Sequence, residues 1–127
     1  MEGLTVKRLS VLVTAVALAG CASTAGAPSL SYTFQAPRDA VKFAIVAVYS
    51  ADGFSVYRDS DFQIAMERYR GGAALRHAFS VVGSSPTTVT ATISIANGAG
   101  QTTDFTNDTG ARSLVDGYMI QVRSTLQ

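Results

Sequence analysis

From Thr88 to Ile95, polar and apolar side chains alternate without a break: Val89, Ala91, Ile93 and Ile95 on one side, Thr88, Thr90, Thr92 and Ser94 on the other. A period of two marks an extended strand with one buried and one wet face, and threonine favours such a strand. It needs neighbours, because isolated strands are not stable in water. Three upstream segments supply them. Phe54, Val56 and Arg58 alternate with Ser55 and Tyr57, and Asp59-Ser60-Asp61 reads as a turn. Phe62, Ile64 and Met66 then alternate with Gln63, Ala65 and Glu67 in a strand running toward Arg70, where Gly71-Gly72 ends it. A third strand spans about 74–82 before the Gly83-Ser84-Ser85-Pro86 turn, and the adjacent Val81 and Val82 leave its register open.

Helical spacing flanks these strands. After Ala36-Pro37-Arg38-Asp39, apolar residues recur at Val41, Ala44, Ile45 and Val48. Proline suits a helix start, and Asp39 complements the dipole. Asp52-Gly53 supplies the stop, with glycine able to take the left-handed cap. Residues 97–107 hold few apolar side chains and read as loop. Asp108 or Thr109 then caps a last helix whose Leu114, Tyr118, Val122 and Leu126 lie four apart, beside Val115 and Met119.

The expected fold is therefore α+β. It is a two-layer sandwich in the order helix, four-stranded antiparallel meander, helix, with both helices on one face of the sheet. The expected core is Val41, Ile45, Val48, Phe54, Val56, Phe62, Ile64, Met66, Val89, Ile93, Ile95, Leu114, Tyr118 and Val122. The opposite face carries Ser55, Tyr57, Gln63, Glu67, Tyr69 and the Thr88-to-Ser94 ladder.

The N-terminus has a different character. Lys7 and Arg8 precede an apolar run, Leu9 to Leu18, broken only by Ser10 and Thr14; small Ala19 and Gly20 lead into Cys21. These are the parts of a secretory signal, and about ten apolar residues fall short of the roughly 20 of a spanning helix. An uncleaved anchor or a buried helix is the alternative. The small and polar residues from Cys21 to Ser31 argue against a continuing span. Glu2 is unusual in such a leader, so translation starting nearer the Lys-Arg pair is also compatible.

Leu18-Ala19-Gly20-Cys21 resembles the lipobox of bacterial lipoproteins at every position. The resemblance implies cleavage between Gly20 and Cys21, diacylglycerol on the Cys21 thiol and acylation of the new amine. In enterobacterial lipoproteins an aspartate after the cysteine favours the inner membrane. Ala22 stands there in this chain, which points to the outer membrane, with the domain facing the periplasm. Residues 1–20 are then a cleaved signal, 21–35 a lipidated N-terminus and flexible Ala/Ser/Thr/Gly/Pro-rich tether, and 36–127 one domain. The element order over 36–127 is also similar to small accessory lipoproteins of β-barrel assembly and lipopolysaccharide export. That likeness is at the level of fold, and fold does not dictate function.

Charge and chemistry narrow the rest. Removing the first 20 of 127 residues leaves eight cations and eight acids. A nucleic-acid binder shows a basic surplus; a balance of zero excludes that class and leaves membrane affinity to the lipid. Cys21 is the single cysteine, so no internal disulfide forms. His77 is the single histidine, and no Gly-x-Ser-x-Gly elbow surrounds a serine. One histidine and a lipidated cysteine make no zinc set, and no cofactor is implied. Asp59-Ser60-Asp61 lacks the later ligands of a calcium loop. Asn97-Gly98-Ala99-Gly100 lacks the lysine of a phosphate loop and reads as a mobile loop.

Glu67-Arg68-Tyr69-Arg70 with Arg76, beside Tyr57, is the densest cluster of charge and aromatic side chains. Tyr57, Arg68, Tyr69, Arg70 and Arg76 are thus the candidate partner-binding residues, since tyrosine and arginine are common interface anchors; a solvated hairpin end is the plain alternative. The expected function is a non-catalytic envelope lipoprotein, not an enzyme, anchored to the membrane by its N-terminal lipid and binding another envelope protein. The alternative is a carrier of a small apolar ligand or lipid held between helices and sheet.

Overall fold

A computed structural model of the chain describes residues 30–127, so Gly20, Cys21, the signal and most of the tether lie outside the described residues. The chain runs β1 (Leu30–Phe34), α1 (Arg38–Ala51), β2 (Ser55–Ser60), β3 (Gln63–Arg70), β4 (Ala73–Gly83), β5 (Thr87–Ala96), β6 (Thr102–Asp104) and α2 (Thr109–Thr125). The described residues are α+β, with two helices and a six-stranded antiparallel sheet ordered β1-β5-β4-β3-β2. β6 also pairs with β5, past the end of β1.

Two strands correct the expected order of helix, four strands, helix. Leu30–Phe34 belongs to the sheet rather than to the tether, pairing Leu30 with Ala91 and Phe34 with Thr87. Leu30 and Phe34 enter the core while Ser31 and Thr33 face water, so burial of two large side chains holds a segment whose neighbours look like linker. β6 is three exposed residues long and exists because its backbone closes part of the β5 edge. The Asn97 loop between them is correspondingly tied down. The Asn97 carboxamide oxygen accepts from Ala99 N and from Gln101 N, each at 2.9 Å, so the segment closes as a hydrogen-bonded turn.

Both helices have identifiable terminal contacts. Pro37 sits at the N-cap of α1 with Asp39 in its first turn. At the other end, Arg68 reaches from β3 to donate to the Asp52 carbonyl at 3.0 Å and to its carboxylate at 3.3 Å, meeting the partial negative charge of the helix terminus. Asp108 caps α2, its carboxylate accepting from Ala111 N at 2.9 Å.

Strand parity settles the core. Ile64, Met66, His77, Phe79, Val81, Val89, Ala91 and Ile93 are buried and join Val41, Ala44, Ile45 and Tyr49 of α1 and Val115, Tyr118, Met119 and Val122 of α2. In β4, Val81 points inward opposite Val89 while Val82 points out. Four expected core residues are corrected. Val56 is 48% exposed because β2 is an edge strand that no helix overhangs fully. Phe62 is 52% exposed because it sits in the β2–β3 turn, its ring under the Arg38 guanidinium at 4.5 Å. Leu114 is exposed in the groove between the helices. Ile95, near the end of β5, is only half-buried.

Candidate functional site

Alternation along β3, β4 and β5 leaves a second sheet face away from the core cluster. Gln63, Ala65 and Glu67 of β3, Ala78 and Ser80 of β4, and Thr90, Thr92 and Ser94 of β5 share it by register. A depression of about 400 Å³ lies on this face, walled by Tyr57, Arg58 and Arg76 on one side and by Thr90, Thr92 and Ser94 on the other. The small side chains of Ala65 and Ala78 leave the hollow between these walls.

Backbone irregularity builds the charged wall. The pairing of β2 with β3 shifts register between Val56 and Arg58: Val56 faces Met66, and Arg58 faces Ala65. This is a β-bulge, in which an extra residue re-aims the side chains around it. Strict alternation would group Arg58 with Val56 on the helix side. The bulge instead brings Tyr57 and Arg58 together at the depression.

Arg76 completes the wall. Its Nε donates to Glu67 Oε1 at 2.8 Å, and its guanidinium carbon lies 4.2 Å from the Tyr57 ring centre; that of Arg58 lies 5.6 Å from the same centre. Glu67 is 8% exposed, so its pairing with Arg76 is mostly out of water, where a charge-assisted bond is strong. The hydrogen bond to Glu67 raises the Arg76 pKa above its usual range and keeps the cation fixed.

The five expected partner-binding residues divide. Tyr57 and Arg76 stand together at the depression. Tyr69 is on the same face but nearer the hairpin end, 69% exposed, over a separate hollow shared with Arg76, Asn97 and Gly98. Arg68 turns to the helix side, packing over the Phe54 ring at 4.7 Å and bonding Asp52. Arg70 lines a further hollow with Arg68, Leu75 and Ile95. Arg58 was outside the expected set; only the bulge, which leaves no periodic signal, puts it beside Tyr57.

His77 lies on the core side, fully buried, with Nδ1 2.8 Å from the Tyr49 hydroxyl. Burial first, and the charge of Arg68 second, lower its pKa to about 4, so the ring is neutral near pH 7. Rings of Tyr49, Phe54 and Tyr118 pack around it; Tyr49 has centroid separations of 4.2 to 5.4 Å from Tyr118, Phe54, His77 and Phe79. A histidine in this position is closed off from a bulk substrate. Among the described residues, no group of three or more His, Cys, Asp or Glu side chains is placed to hold a metal ion. Also among the described residues, no helix is long and apolar enough to cross a membrane.

Compared with known protein families and with curated protein sequences, the chain matches none.

Proposed function

We propose that the chain is a non-catalytic envelope lipoprotein, anchored through Cys21 to the outer membrane and facing the periplasm, that docks another envelope protein on its open sheet face. The reading takes the fold as a two-layer sandwich with α1 and α2 on one side of the sheet, so that the other side is free for a partner. The observation that carries it is the built wall of that face: Tyr57, Arg58 and Arg76 gathered by a bulge and an ion pair at the rim of a 400 Å³ depression. Tyrosine and arginine held in place before binding lose little entropy when a partner arrives.

The anchor would hold the domain close. Leu30 begins β1, so nine residue steps separate it from Cys21. Fully extended, they reach about 30 Å. A lipoprotein's two or three acyl chains anchor stably where a single chain holds marginally.

The carrier alternative has less support. The space it requires between helices and sheet is filled by Tyr49, Phe54, His77, Phe79 and Tyr118 in mutual contact. The groove between the helices, lined by Val48, Leu114, Gly117 and Tyr118, lies at the surface.

Two measurements test the reading. A fatty-acid probe should label the wild type and leave Cys21→Ser unlabelled; equal labelling contradicts the anchor. A photo-crosslinking residue at Ser80, on the open face, should give an adduct of defined mass in cells, while one at Gln121 on α2 should not. Adducts at Gln121 alone would contradict the docking face.

A further inference from the structure

We propose that Arg58 and Arg76, braced on the Tyr57 ring, form an anion site that receives a carboxylate from an acidic segment of the docked protein. This rests on reading the open sheet face as the docking surface and supplies its chemistry.

Three observations carry it. The first is charge. The depression is lined by two guanidinium groups and no carboxylate. Glu67, close by, is engaged by Arg76. Among the described residues no carboxylate lies within ion-pairing distance of Arg58. The cluster of Arg58, Arg76 and Glu67 therefore holds one cation in excess.

The second is geometry. Both guanidinium carbons lie within 5.6 Å of one ring centre, a gathering of like charges that the β-bulge creates and regular pairing would not. Both line the same depression, so an anion entering it meets two guanidinium groups. A guanidinium carries five N–H donors in a planar fork suited to a carboxylate. Arg76 uses one of its five on Glu67.

The third is what the ring is doing. Guanidinium groups already lie against Tyr57, so the ring braces cations. That use disfavours stacking by a sugar and favours an anion. Beyond the cationic wall the depression continues across β4 to the hydroxyls of Thr90, Thr92 and Ser94. That breadth exceeds one carboxylate and fits the neighbouring polar groups of a peptide.

The test uses the full-length chain in a non-ionic detergent, followed by NMR through backbone amides and arginine Nε–H signals. Hexaglutamate is the probe, with hexaserine and free succinate as comparisons. The expected result is a saturable shift of the Arg58 and Arg76 Nε–H signals and of the Tyr57 and Thr92 amides. Arg58→Gln, an exposed edge-strand change, should weaken hexaglutamate about tenfold, and hexaserine should shift nothing. Absence of shifts at millimolar hexaglutamate would overturn the site, as would equal affinity in Arg58→Gln. Succinate binding as tightly as hexaglutamate would overturn the peptide as occupant. The two readings fail separately. A Ser80 adduct in cells without Arg58-dependent hexaglutamate binding sinks the anion site and spares the docking face. Arg58-dependent binding without a Ser80 adduct does the reverse.

Discussion

The Tyr49 hydroxyl and His77 Nδ1 stand 2.8 Å apart at the centre of a cluster of aromatic rings, joining α1 to β4 across the core. Tyr118 of α2 packs against both Tyr49 and His77 and donates to the Asp52 carboxylate, so this cluster also links the two helices. The packing that buries His77 makes it sensitive to acid.

Acid should weaken the fold through His77. Its folded pKa, about 4, lies below the unfolded value of 6.5, so the unfolded chain binds the proton more readily. Stability is then full above pH 6.5 and falls as pH drops toward 4, by up to ~3 kcal/mol from this group. His77→Phe removes the titration. Urea unfolding at pH 7 and pH 4.5 should show a smaller acid loss in the variant by about 2 kcal/mol. Equal acid losses would mean that His77 does not titrate with folding.

Phe34→Ala separates a strand from a tether. Phe34 is 1% exposed and lies under the Arg123 guanidinium at 4.6 Å. Truncation should cost about 3–5 kcal/mol, as for other buried phenylalanines. A loss under about 0.5 kcal/mol, the level of an unpacked surface change, would remove β1 from the folded unit.

Two glycines with left-handed backbone should respond unequally to alanine. Gly71 has φ +59° and open space around an added Cβ, so Gly71→Ala should cost about 1 kcal/mol of backbone strain. Gly83 has φ +85°, and its Cβ would meet the Pro86 carbonyl oxygen at 2.8 Å. Gly83→Ala should cost more, about 2–4 kcal/mol, since backbone must move. Thermal unfolding of the pair checks the order, and equal midpoints would contradict it.

How much of this was readable beforehand depended on whether a signal was periodic. The alternation in 54–58, 62–70, 74–82 and 88–95 located β2 to β5, and the spacing of Val41, Ile45 and Val48 located α1, because regular burial imprints regular sequence. β1 has the same alternation, with Leu30, Tyr32 and Phe34 on the core side. It adjoins an Ala-, Ser- and Thr-rich stretch that masks it. β6 is too short and too exposed to have a pattern. Val56 and Phe62 follow the period yet remain half in water, because period reports the side of the sheet and says nothing about its edge.

The candidate site was half legible. Tyr57 and Arg76 follow from composition and parity. Arg58 does not, since a bulge inverts parity without changing any residue type. Arg68 belongs elsewhere because it shares the parity of Ile64 and Met66, which puts it on the helix side, where it reaches the Asp52 carbonyl at the end of α1.

The central claim is that the open face docks a partner through Arg58 and Arg76. The most direct measurement is the yield of the Ser80 photo-adduct in cells, compared between wild type and Arg58→Gln at equal protein level. The account predicts one adduct of defined mass in wild type, reduced at least about fivefold in Arg58→Gln, as expected when a charge-assisted contact is lost. An unchanged yield in Arg58→Gln, or no adduct in either, would contradict it.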